Sequence, residues 1–202
     1  MKNFVSWYRV GLGLLALAAL ATQFVHSSRS SAFSEVNFFS YFTNLSNIVG
    51  ALLFIYCGLR AEARSLTIDL LRGAATVYLA TTGVVYNLLL TNVGVGIVIP
   101  WVNTVIHAVM PLAAVIDWLV VAPSNRLRFK QTWVWLIFPL AYLAYILIRG
   151  PIVNWYPYPF LDPKNVGGYA GVAAYSVGIT AALVGLVFGV MWLGNRQRRA
   201  KA

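Results

Sequence analysis

Carboxylates are scarce in this chain. Of 202 residues five are Asp or Glu, against fifteen Lys or Arg, and charged residues make up only 10%. Cysteine occurs once and histidine twice. A lone cysteine excludes an intramolecular disulfide and a cysteine metal cluster, and neither a metal site nor a cofactor is expected; Cys57 reads as a small buried hydrophobe. With so few charges and 60% hydrophobic residues, the composition lies far from the roughly 45–50% apolar and 25% charged residues of soluble domains. That excludes a water-soluble globule.

What the chain does have is long uncharged runs, each sufficient to cross ~30 Å of hydrocarbon at 1.5 Å per residue. We read spans near residues 4–26, 38–59, 73–92, 101–121, 132–149 and 169–193, forming one all-α polytopic transmembrane bundle of six helices without a separable second domain. A membrane barrel would show short alternating segments instead. Between the spans, Lys2, Arg9, Arg60, Arg64, Arg72, Arg126, Arg128, Lys130, Arg196, Arg198, Arg199 and Lys201 fall on one side, and Arg29, Arg149 and Lys164 on the other. The positive-inside rule makes the first side cytoplasmic, with both termini there. This placement makes the net charge of +10 a topology signal with a secondary affinity for anionic lipid, not a nucleic-acid footprint. The first span ends in Ala19-Leu20-Ala21, a cleavage-like pattern, but it is long and carries Arg9, so we expect it to be retained.

Polar residues inside the spans are costly and therefore informative. They concentrate at Thr43-Asn44-Leu45-Ser46-Asn47, at Tyr86, Asn87, Thr91 and Asn92, and at Asn103, Thr104 and His107. With the second and fourth spans both running inward, Thr43 and His107 lie at one depth, ~9 Å below the outer surface. A hydroxyl beside an imidazole is the minimum for nucleophilic acyl transfer, the histidine taking the hydroxyl proton as the oxygen attacks an ester carbonyl. Asn44, Asn47, Tyr86, Asn87 and Asn103 are candidates to hold the oxyanion or orient the imidazole. The bland alternative is a threonine bonded to its own helix and a histidine serving as an interhelical tie. Asp117, ~15 Å along the helix from His107, is too distant to orient it and is expected to pair with a basic residue such as Arg126 or Arg60.

Three segments carry a resemblance to a known family. Tyr41-Phe42-Thr43-Asn44-Leu45, Trp101-Val102-Asn103-Thr104-Val105-Ile106-His107 and Tyr158-Pro159-Phe160-Leu161-Asp162 resemble, in that order, segments of the androgen-induced and androgen-dependent (TFPI-regulating) membrane proteins, threonine hydrolases of fatty acid esters of hydroxy fatty acids. The resemblance implies a lipid ester hydrolase with Thr43 as nucleophile and His107 as its partner, in a short prokaryotic relative acting on a lipid in the cytoplasmic membrane, its site toward the outer leaflet. The chain departs from the family in its extra amides around Thr43 and in Pro111, which stands one residue closer to the histidine.

The stretch from Gly150 to Gly168 is expected to be non-helical because of its prolines, with Tyr158, Phe160 and Asp162 belonging to an interfacial belt or a lid. Gly171, Ala174, Gly178, Ala182, Gly185 and Gly189 would let another helix approach the last span closely. Two other functions compete with hydrolysis. A bis-histidine haem would need His26 and His107 at one depth, yet His26 sits at the end of its span. A transporter or non-catalytic scaffold would fit the polar interior, although no internal repeat is evident.

Overall fold

The computed structural model describes residues 2–60, 65–91, 93 and 99–200; Arg64, Asn92 and Lys201, named above, lie outside the described residues. The described elements are all helical: α1 (Lys2–Ser27), α2 (Glu35–Phe39), α3 (Phe42–Leu59), α4 (Leu66–Val85), α5 (Pro100–Thr104), α6 (Met110–Val120), α7 (Phe129–Thr132), α8 (Ile137–Val153) and α9 (Tyr169–Ala200). A π turn at Tyr86–Leu90 extends α4, and another at Val105–Val109 joins α5 to α6. A 3-10 segment, Trp133–Leu136, joins α7 to α8. Together they give six helices long and apolar enough to cross a membrane: Asn3–Ser27, Phe42–Leu59, Leu66–Leu90, Pro100–Val120, Phe129–Val153 and Tyr169–Arg199.

The last helix runs on past residue 193 to Ala200, and three other boundaries differ from those read in the sequence, each for a local reason. The second span is broken, because Ser34 caps the short α2 through the Asn37 amide and the chain turns at Ser40 before α3 starts at Phe42. The third begins at Leu66 instead of 73, with Ser65 as its cap accepting from the Ile68 amide. The fifth continues through Pro151 to Val153, closed by Asn154 in the left-handed conformation at φ 50°. A proline so near a helix end removes only one of the last backbone bonds, which lowers the cost it carries mid-helix.

Charge is admitted into the bundle where it is paired. Asp117 accepts from Arg9 Nε at 2.7 Å and Nη2 at 3.0 Å, from Arg72 Nη2 at 2.9 Å, and from the Tyr8 hydroxyl. Arg72 also donates to the Val121 carbonyl at 2.8 Å. The partners of Asp117 are thus Arg9 and Arg72, not Arg126 or Arg60: both arginines lie within helices, where they reach the carboxylate directly. This cluster, all of it buried apart from Tyr8, ties α1, α4 and α6 at the basic end of the bundle. The same end is fixed by Trp118 Nε1 donating to the Val190 carbonyl (2.8 Å) and by Asn195 exchanging bonds with the Leu127 backbone (2.9 and 2.8 Å).

Close helix approach occurs elsewhere than expected. A Cβ on Gly13 would stand 2.7 Å from the Ala51 carbonyl oxygen, and one on Gly58 would stand 2.8 Å from that of Ser6, so glycine permits the α1–α3 contact. On α9, by contrast, Cβ atoms on Gly178, Gly185 and Gly189 would meet nothing within 4 Å, and Gly171 packs on the Val166 carbonyl of the preceding loop. Among the described residues, no helix therefore packs closely on Gly178, Gly185 or Gly189.

Candidate functional site

Opposite the basic end, four segments converge: the start of α3, the end of α4, the π turn after α5, and the loop before α9. Thr43 is the second residue of α3. Position matters, because a threonine hydroxyl inside a helix normally donates to the carbonyl four residues back. Thr22, Thr76, Thr81, Thr82 and Thr104 all do so. Thr43 has no helical turn behind it, since the chain breaks at Ser40 and Tyr41. Its Oγ1 instead lies 3.5 Å from His107 Nε2 and 3.3 Å from the Tyr158 hydroxyl, and all three residues are buried.

The break also exposes the first amides of α3, which a helix end leaves without partners. Two tyrosine hydroxyls take them. Phe42 N donates to Tyr142 at 3.2 Å and Thr43 N donates to Tyr158 at 3.2 Å. Tyr142 passes its own proton to the Ser40 carbonyl at 2.9 Å. The Tyr158 hydroxyl also lies within hydrogen-bonding reach of Thr43 Oγ1 and of the Tyr142 hydroxyl. Burial raises the Tyr158 phenol above its ordinary value, so near neutral pH the group stays protonated and remains a donor.

His107 sits in the π turn Val105–Val109, and Pro111 explains why the helix widens there. A proline four residues on cannot donate to the His107 carbonyl, and in a regular helix its ring would strike that oxygen. The turn instead closes through Met110 N to the Val105 carbonyl, a five-residue spacing that occurs often at functional sites. Gly83 of α4 packs on this turn, with a Cβ there reaching 3.0 Å from Pro111 Cβ and 3.4 Å from the His107 carbonyl oxygen.

Asn103 and Tyr86 hold the ring. Asn103 Oδ1 lies 2.8 Å from His107 Nδ1, and Asn103 Nδ2 donates to the Tyr86 hydroxyl at 2.6 Å. This amide orientation makes Nδ1 the protonated nitrogen and leaves Nε2 as an acceptor toward Thr43. The Tyr86 ring lies flat on the imidazole, with centroids 3.8 Å apart and planes at 18°.

The remaining sequence candidates are not brought to the Thr43 hydroxyl. Asn44 Nδ2 donates to the Phe38 carbonyl, tying α2 to α3. Asn47 Nδ2 bridges the carbonyls of Thr43 and Ile106 at 2.9 and 3.1 Å, setting the spacing between the two site helices. Asn87 Nδ2 returns to the Gly83 carbonyl of its own helix. Phe160 stacks on Tyr158 at 5.3 Å, whereas Asp162 organises the turn at Lys164 and Asn165. The loop between α8 and α9 is folded back into the bundle rather than spread along its rim: Tyr158, Phe160 and Leu161 are all buried.

The sequence motif pointed to Tyr158 only as part of an interfacial belt or a lid; its hydroxyl at Thr43 depends on how the loop folds. Tyr142 escaped notice because one tyrosine among the apolar residues of a span carries no signal of its own. Beside Thr43 a narrow, mostly apolar cavity of about 90 Å³ runs between α4, α8 and α9, lined among others by Thr82, Val85, Leu140, Tyr142, Ile179 and Leu183. No protein-family model, curated protein or solved structure matches this chain.

Proposed function

We propose that the chain is a membrane-embedded lipid ester hydrolase in which Thr43 is the nucleophile and His107 its general base. The observation that carries this reading is the unspent Thr43 hydroxyl, 3.5 Å from an imidazole nitrogen whose ring partner is held by Asn103. That separation is longer than a formed O–H···N bond, as resting catalytic contacts often are, and closes with a shift of ~0.5–0.8 Å.

In the first half-reaction, Nε2 takes the hydroxyl proton as Oγ1 bonds to the ester carbonyl carbon. Negative charge moves to the carbonyl oxygen, where the Tyr158 hydroxyl, 3.3 Å from Thr43 Oγ1, turns to donate. The start of α3 adds the positive end of its dipole. When the intermediate collapses, the C–O bond to the alcohol breaks and the imidazolium returns the proton to the leaving oxygen. In the second half-reaction, water attacks the acyl-threonine, loses a proton to Nε2, and releases the acid and free Thr43. Asn103 fixes the tautomer and orientation of the ring but does not neutralise the imidazolium, a Thr-His-Asn variant of the triad logic.

The mostly apolar cavity beside Thr43 suits an alkyl chain. The substrate is accordingly a membrane lipid ester, with the fatty acid esters of hydroxy fatty acids favoured by the likeness of the three segments named above. The asymmetric distribution of basic residues supports placing the site in the outer leaflet of a prokaryotic cytoplasmic membrane. The test is hydrolysis of a lipid-ester panel, including a hydroxy-fatty-acid ester, by purified wild type beside Thr43→Ala and His107→Ala. Loss of turnover in both variants is expected; full turnover by both removes the proposal.

A further inference from the structure

We infer that the basic end of the bundle holds a binding site for the phosphate of an anionic phospholipid. A second cavity of about 610 Å³ lies between the loop after α6 and the last turns of α9, lined by Arg126, Met191, Trp192, Asn195, Arg196 and Arg199. Its volume falls in the roughly 300–1,000 Å³ range of ligand sites. Three arginines thus line one concavity.

Nothing acidic among the described residues answers them. The chain's five carboxylates are Glu35, Glu62, Asp69, Asp117 and Asp162. Glu35 and Asp162 belong to α2 and to the loop before α9, at the opposite end. Asp117 is committed to Arg9 and Arg72, Asp69 accepts from the backbone and side-chain amides of Asn125 at 2.8 and 3.0 Å, and Glu62 lies outside the described residues. No carboxylate among the described residues reaches these arginines, and arginine forks match phosphate oxygens in geometry.

The concavity is also preformed. Asn195 grips both backbone groups of Leu127, the residue after Arg126, which fixes the loop against α9. Gly194 receives the Trp118 ring, whose Cζ2 would lie 2.7 Å from a Cβ there. The Arg196 guanidinium rests 5.2 Å above the Trp192 ring, which limits its freedom before any ligand arrives.

Depth distinguishes a lipid from a soluble phosphate. A helix crosses ~30 Å of hydrocarbon in about 20 residues, so a crossing that begins near Tyr169 leaves the apolar layer at about residue 189. Trp192, Arg196 and Arg199 then stand at headgroup level, with Met191 and the exposed Trp192 ring below them for the glycerol and the first methylenes. A membrane phospholipid bearing net negative charge satisfies both halves of the cavity; a free phosphate ester satisfies one.

The test is native mass spectrometry of the full chain in detergent, titrated with phosphatidylglycerol, phosphatidylcholine and soluble glycerol phosphate. Wild type is expected to retain phosphatidylglycerol in preference to phosphatidylcholine and to bind glycerol phosphate far more weakly. Combining Arg126→Gln, Arg196→Gln and Arg199→Gln should weaken phosphatidylglycerol binding about a hundredfold, roughly fivefold per arginine. A control with the same loss of charge, Arg60→Gln, Arg128→Gln and Lys130→Gln, should change it less than about fivefold. Equal weakening in the two triple variants, equal retention of both lipids by wild type, or glycerol phosphate bound as tightly as the lipid would each overturn the inference. The first comparison separates a built site from a diffuse field, and the other two rest on wild type alone.

Discussion

Tyr158→Phe removes one oxygen and keeps the ring that stacks on Phe160 and edges onto Tyr41. Two losses follow from the geometry. The Thr43 amide, now donating at 3.2 Å to Tyr158, is left buried without an acceptor, which costs about 1–3 kcal/mol of stability. The developing oxyanion loses its hydroxyl donor, an effect of about 10²–10³ in kcat, or roughly 3–4 kcal/mol at the transition state. Tyr142→Phe separates the two losses. It strips the Phe42 amide of its acceptor and the Ser40 carbonyl of its donor, so its stability cost is of the same order, about 1–3 kcal/mol. It does not touch Thr43 Oγ1, and kcat should stay within about fivefold of wild type, with any larger loss falling on KM because Tyr142 lines the acyl slot. The assay is steady-state ester hydrolysis in lipid nanodiscs, reporting kcat and KM separately, beside thermal unfolding of each variant. A Tyr158→Phe enzyme with wild-type kcat, or equal kcat losses in the two variants, would refute the assignment of Tyr158 as oxyanion donor.

Other variants probe the supporting structure. Asn103→Leu should lower kcat by ~10–100-fold with little change in KM, because it frees the imidazole without altering the acyl slot; a pure KM effect in the same assay would contradict an orienting role. Gly83→Ala pushes a methyl toward Pro111 and the His107 carbonyl and should reduce kcat by ~10-fold or more while unfolding remains cooperative. An unchanged kcat would show that the π turn tolerates displacement. Asp117→Asn leaves Arg9 and Arg72 buried without a counter-charge, a loss of roughly 3–5 kcal/mol measurable as a lowered unfolding midpoint. A loss below about 1 kcal/mol would mean that water reaches the cluster.

The six crossings were legible because apolar length is a property of each segment alone, requiring no knowledge of what packs beside it. The common depth of Thr43 and His107 was legible too, since depth follows from counting residues along two helices that run the same way. Lateral relations were not. Whether Thr43 faced His107 or its own helix depended on the break at Ser40, and a polar Ser-Tyr pair at the head of an apolar run does not by itself announce a broken span. Asn103 and Asn87 are both amides within a turn of the site in sequence, yet one holds the imidazole and the other bonds its own helix. That difference is a matter of helix rotation, which the π turns alter. Arg72 illustrates the opposite error: a cation at a span edge looks like a topology signal until a buried carboxylate meets it.

The nucleophile itself is best tested by covalent capture. Purified protein incubated with a lipid-like fluorophosphonate, digested and mapped by peptide mass spectrometry should carry the adduct on Thr43. Labelling should be lost in His107→Ala, where no base remains to draw the proton from the hydroxyl. An adduct on any other residue, or undiminished labelling of Thr43 without His107, would contradict a Thr43–His107 hydrolase.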